Sequence, residues 1–149
     1  MASGQLITFQ IGEQYLGVDI MAIREIRAWS PTTLLPQVPP HVRGVVNLRG
    51  TVLPVVDLSA RLGWGLTDPT QRHVIIVVRI ADQLQGLIVD AVNDIVSIDA
   101  AEIQPPPSLG DSASSFLEGL ASVEDRMVMV LSLDALALDR DVFTQSEAA

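Results

Sequence analysis

The chain has no cysteine, no lysine, only six aromatic residues and no apolar run longer than Val74–Val78. Without cysteine there is no thiol nucleophile, no disulfide and no thiolate metal site. All nine basic residues are arginine, set against eighteen acids for a net charge of −9, and no basic cluster exceeds the pair Arg24 and Arg27. Nucleic acid and anionic lipid both require a positive footprint, so neither is an expected partner. A run the length of Val74–Val78 falls far short of the roughly 20 apolar residues a membrane helix needs, which predicts no direct membrane insertion. The opening MASGQLITF has neither a cationic nor a long apolar stretch, so no secretory leader is expected and the chain reads as soluble and intracellular.

What is present is aliphatic. Of 149 residues 48% are hydrophobic, 18% are charged, and valine and isoleucine supply 30. That composition excludes a disordered tail and favours strands. Short alternations predict strands at Gln5–Ile11, Gln14–Ile20, Val42–Leu48, Val52–Leu58, His73–Ile80, Leu84–Val89, Asp94–Ile98, Leu117–Val123 and Met127–Leu133. Proline, glycine and acidic turns separate them, and Gly12-Glu13 marks a hairpin. Brief helices are predicted at Ser59–Leu62 and Asp134–Val142, the second with Asp134 as cap. The pattern is all-β, a sandwich or a set of small barrels.

The chain also echoes itself. At an offset of 69 residues, Ile11–Ile26 lies on Ile80–Ile95 with five of sixteen positions identical: Ile11/Ile80, Gln14/Gln83, Gly17/Gly86, Ala22/Ala91 and Ile26/Ile95. At an offset of 75, the stretch from Gly44 lies on the stretch from Gly119. This predicts two related barrels side by side with pseudo-two-fold symmetry, approximately 6–68 and 72–138, whose strands can exchange at the boundary. The echo fails at Asn47-Leu48-Arg49-Gly50, which meets Ser122-Val123-Glu124-Asp125. An arginine present in one copy alone points to a task beyond folding.

No catalytic constellation is visible, and no catalytic, cofactor or metal residue is nominated. His41 and His73 lack any metal-ligand spacing and read as surface residues. Asp90 and Asp94 could approach each other but read as solvated loop acids, Gly63-Trp64-Gly65 as a tight turn, and Met127 and Met129 as core filler. The remaining candidate is the junction of the barrels, where Met21–Ile26 and its echo Ala91–Ile95 would form an aliphatic groove suited to an amphipathic helix. A small-ligand-binding or catalytic barrel using the scattered acids stays open.

The runs GVDIMAIREIR (17–27), VRGVVNLRGTVLPVVDL (42–58), GLIVDAVNDIVSI (86–98) and EDRMVMVLSLDAL (124–136) closely resemble the bacterial chemotaxis coupling (adaptor) protein CheW family, from about Leu6 to Leu138. Asn47-Leu48-Arg49-Gly50 followed by a strand and Val56-Asp57-Leu58 is the most specific combination. The resemblance implies a single CheW-like domain over 1–149, built as two intertwined five-stranded SH3-like β-barrels with short helices, one near the C-terminus. It implies no enzymatic activity and no cofactor. The implied partners are the cytoplasmic hairpin tip of a chemoreceptor (methyl-accepting chemotaxis protein) and the regulatory domain of the histidine kinase CheA, so that receptor state controls kinase autophosphorylation. The implied location is the cytoplasm, at the inner face of the membrane through receptors; a coupler of a non-flagellar pathway is the variant reading. Carried over by position, receptor contact falls on Ile23, Glu25, Gly44, Arg49 and Ile95, and kinase contact on Val52 and Val74. A second, ring-closing kinase contact falls on Gln104 and Leu109, where the chain departs from the family's basic residue and aromatic.

Overall fold

Period-two alternation of apolar residues produces ten strands in the computed structural model, which describes residues 4–105 and 115–137. They are β1 (Gly4–Ile11), β2 (Gln14–Asp19), β3 (Ile23–Ala28), β4 (Val42–Leu48), β5 (Thr51–Asp57), β6 (Val74–Ile80), β7 (Gln83–Val89), β8 (Ala91–Ile98), β9 (Leu117–Val123) and β10 (Arg126–Leu131). A short helix α1 (Leu58–Arg61) follows β5, and 3-10 turns occupy Ile20–Ala22, Ala100–Glu102 and Leu133–Leu136.

Two five-stranded sheets result, in the orders β8-β1-β2-β10-β9 and β3-β6-β7-β5-β4. The repeat maps one order onto the other strand for strand, and the registers agree. Ile11 faces Gln14 as Ile80 faces Gln83, and Gly17 faces Val130 as Gly86 faces Val55 in the parallel pairs. Each sheet closes through a backbone bridge, Thr33 with Val45 in one and Gln104 with Leu120 in the other. The strands are not grouped as 6–68 and 72–138. The first sheet joins the N-terminal hairpin to β8, β9 and β10, and the second joins β3, β4 and β5 to the hairpin β6–β7.

Burial follows this exchange. Each barrel has its own small interior, Leu53, Val55, Ile75, Val77 and Ile88 in one and Leu6, Ile98, Ala121 and Val130 in the other. The largest cluster lies between them, with Phe9, Leu16 and Val18 from the first sheet against Ile76, Val78 and Leu87 from the second. At roughly 1.5–3 kcal/mol per buried large side chain, this shared core dominates, so neither barrel is a free unit.

Several expectations need correcting. Strand β3 is absent from the predicted set because its apolar residues do not follow its burial. Exposure alternates strictly from Ile23 to Ala28, but the half-buried positions 25 and 27 carry Glu25 and Arg27 while Ile26 is exposed, and a bulge also lies between Ile23 and Glu25. The equivalent bulge, between Phe9 and Ile7 on the partner strand, hides the start of β8. Helix α1 begins at Leu58, capped by Asp57, whose Oδ1 accepts from Ala60 N. The later turn spans Leu133–Leu136 with Ser132 at its start and Asp134 inside it, and the rest of Asp134–Val142 lies outside the described residues from 138 on. Met127 is 58% exposed while Val128 and Val130 are buried, so β10 has the opposite phase to that expected for Met127.

Candidate functional site

The β4–β5 hairpin builds the site. Leu48 pairs with Thr51, leaving a two-residue turn with both residues in the left-handed region, Arg49 at φ 52° and Gly50 at φ 88°. That backbone suits the right-handed twist of a tight hairpin. Asn47 Oδ1 accepts from Gly50 N at 2.9 Å and locks the turn. Arg49 is thereby aimed at β3, where its Nη1 lies 3.0 Å from Glu25 Oε1. Arg27, on the same face of β3, is 4.0 Å from the other oxygen of Glu25. The twin hairpin turn repeats the backbone with Glu124 and Asp125, so the turn itself does not require arginine.

Glu25, Arg27 and Arg49 rim an open cleft of about 610 Å³, completed by Ala28, Trp29, Ser30, Asn47 and Leu48. Two guanidiniums around one carboxylate leave a local excess of positive charge on an otherwise acidic molecule. The sequence reading missed Arg27 and Trp29 as part of this surface. Arg27 was findable, since it lies two residues beyond Glu25 and so shares its face once β3 is recognised as a strand.

The other sequence-nominated residues are dispersed. Ile23 is half-buried against the central core, and Ile95 is 56% exposed on β8 of the other barrel. Its repeat partner Ile26 is also exposed, so the true symmetric pair is Ile26 and Ile95. Gly44 is buried. At φ 131° a Cβ there would sit 2.3 Å from Thr33 O, and at Gly119 it would sit 2.3 Å from Gln104 O. Both glycines thus let the closing segment cross the barrel, a duty that needs no partner. Val74 pairs with Val89 at one end of β7, whereas exposed Val52 precedes Val55, which faces Gly86, and lies toward the other end. The two do not share a patch by register. Gln104 is exposed and holds the bridge to Leu120, while Leu109 lies outside the described residues.

Buried polar groups stiffen the surroundings. Asp57 is fully buried, and its carboxylate also accepts from Thr67 N at 2.6 Å and Thr67 Oγ1 at 2.8 Å, pinning the loop after α1. His41, whose carbonyl accepts from Asp57 N, is not a plain surface residue. Burial lowers its pKa below the ordinary imidazole value, the Arg61 charge adds to this, and Asp57 partly opposes it. His73 departs from a surface reading, while Asp90 stays 40% exposed at its side chain but is not free. Asp90 Oδ2 accepts from Gly12 N at 2.6 Å, and its Oδ1 lies 3.3 Å from His73 Nε2, with the histidine side chain only 16% exposed.

A family model described as "CheW-like domain" matches residues 5–140. The chain is 48% identical over 133 residues to the chemotaxis protein CheW of Rhizobium meliloti, covering 89% of this chain and 86% of that protein. It is 30% identical over 138 residues to the chemotaxis protein CheW of Bacillus subtilis, covering 92% and 88% respectively. Among solved structures it is similar to the scaffolding protein TtCheW from Thermoanaerobacter tengcongensis, with a TM-score of 0.83, 34% identity, and coverage of 93% of this chain and 90% of that one.

Proposed function

Because the chain belongs to the CheW-like domain family, we propose that it is a non-enzymatic chemotaxis scaffold coupling chemoreceptors to the histidine kinase CheA. The observation that carries this reading is the pairing of Arg49 with Glu25 at the rim of the cleft on the β3 face. An exposed ion pair of this kind adds only about 0.2–1 kcal/mol to stability. Its value lies in geometry, since a guanidinium fork held at fixed position can bind a partner's carboxylates or carbonyls. The receptor's helical hairpin tip engages the β3 face through Glu25, Arg49 and the neighbouring Ile23, with Gly44 acting from below by admitting Thr33. Ile95 extends that contact onto the second barrel. The kinase's regulatory domain, itself a double barrel, meets Val52 and Val74, and a second, ring-closing kinase contact falls on Gln104 and Leu109. Receptor binding draws the protein to the inner face of the membrane from the cytoplasm. Receptor control requires these contacts to differ in strength between the kinase-on and kinase-off states, since equal affinity shifts nothing.

Pull-down of the full chain with a receptor cytoplasmic fragment and, separately, with a CheA regulatory domain tests this reading. Capture by both supports it. Capture by neither overturns it.

A further inference from the structure

The two barrels are joined by crossings that differ. Between β2 and β3 the chain takes a 3-10 turn, whereas between β7 and β8 it crosses on one residue, Asp90. That residue is tied on three sides. Its N–H donates to Gln10 O at 2.9 Å, Oδ2 accepts from Gly12 N at the turn of the β1–β2 hairpin, and Oδ1 faces His73 Nε2. His73 Nδ1 accepts from Thr70 N at 2.9 Å. The neutral ring therefore carries its proton on Nε2 and donates it to Asp90. His73 O in turn accepts from Trp29 N at 3.0 Å, and Trp29 lines the cleft that holds Glu25 and Arg49.

We propose that Asp90 and His73 are positioning residues, forming a strap that runs from the hairpin of one barrel to the Trp29 wall of the cleft on the other. The repeat has no second strap, because the residue equivalent to Asp90 is Met21, an apolar residue that is 87% exposed. Receptor affinity depends on this strap only through the proposed function above, but the strap's action on Trp29 does not. In Asp90→Asn the amide cannot serve both neighbours. If its oxygen keeps Gly12, its NH2 meets the Nε2 proton of His73, and moving that proton to Nδ1 sets it against Thr70 N–H.

Amide hydrogen exchange by NMR on the full chain tests the strap. Asp90→Asn is expected to speed exchange at Gly12 and at Trp29 by about tenfold, as loss of a charge-assisted hydrogen bond predicts, with the central β6 amides unchanged. His73→Phe, which keeps a ring without either nitrogen, should speed Trp29 while leaving Gly12 within about twofold. Unchanged Trp29 in both variants overturns the proposal, and so does a uniform rise across β6 and β7, which would mark general destabilisation. Titration with a receptor fragment separates the two readings. Failure of the wild-type protein to bind overturns the proposed function and leaves the exchange data to decide the strap. Binding by the wild type with about fivefold weaker binding by Asp90→Asn supports both.

Discussion

Glu25 stands between two arginines, and reversing its charge would set three cations on one rim. Because the pair with Arg49 is exposed on the arginine side, Glu25→Lys should lower the melting temperature by only a few degrees, the equivalent of about 1 kcal/mol. Receptor-fragment binding should fall by tenfold or more, since like charges at a contact remove complementarity. Circular dichroism melting beside a binding titration checks this. A large loss of melting temperature with unchanged affinity of the folded protein would move Glu25 into the structural class. His41 gives a separate test. Its folded pKa is depressed, so below an unfolded value of about 6.5 the unfolded chain binds more protons. Its contribution to stability is complete above that value and declines as pH falls through it. Urea unfolding at about pH 7.5 and about pH 5.5 should show a larger loss for the wild type than for His41→Gln. Equal losses would mean that burial of the ring has no energetic consequence.

At the scale of elements, the closing segments explain why two distant glycines occupy the same place. Gly44→Ala puts a methyl group against the Thr33 carbonyl at a backbone angle unfavourable to any side chain. It should destabilise the fold by on the order of 2 kcal/mol or more, and Gly119→Ala should do the same. Thermal melts near the wild-type value for either would show that the segment moves aside freely. The elements were largely legible because alternation survives in most strands: Val42–Leu48 and Leu117–Val123 are read to the residue. What hid β3 was its chemistry, since the half-buried face carries Glu25 and Arg27 while the apolar Ile26 faces outward, so burial alternates where hydrophobicity does not. The site suffered in consequence. Arg49 stood out because its twin is an acid, but its partner's face could not be drawn without β3 as a strand. Asp90 and His73 are seventeen residues apart in sequence, and nothing in composition signals that Gly12 joins them.

At the scale of the whole molecule, the repeat was visible and exchange at the boundary was expected, but which hairpins cross was not, because each copy reads the same whether its hairpin stays or crosses. The exchange has a direct consequence. A chain cut between Gly65 and Asp68 leaves an N-terminal piece holding β1–β5, which lacks three strands of one sheet and two of the other. Neither piece should melt cooperatively alone, and mixing or co-expressing them should restore the β-sheet dichroism and a cooperative melt. Independent folding of either piece would contradict the shared core. The same architecture joins the two barrels through one shared core, which would let individually weak contacts, if made on both barrels as proposed, act together in an assembly. On the proposed function, this frame transmits receptor state to a kinase through Arg49. Kinase autophosphorylation in reconstituted mixtures of receptor, kinase and this protein measures it most directly, with adaptor stability followed in parallel. Strong activation is expected from the wild type, reduced activation from a normally folded Arg49→Lys, and still less from Arg49→Ala. Normal activation by a stable Arg49→Ala protein would contradict this.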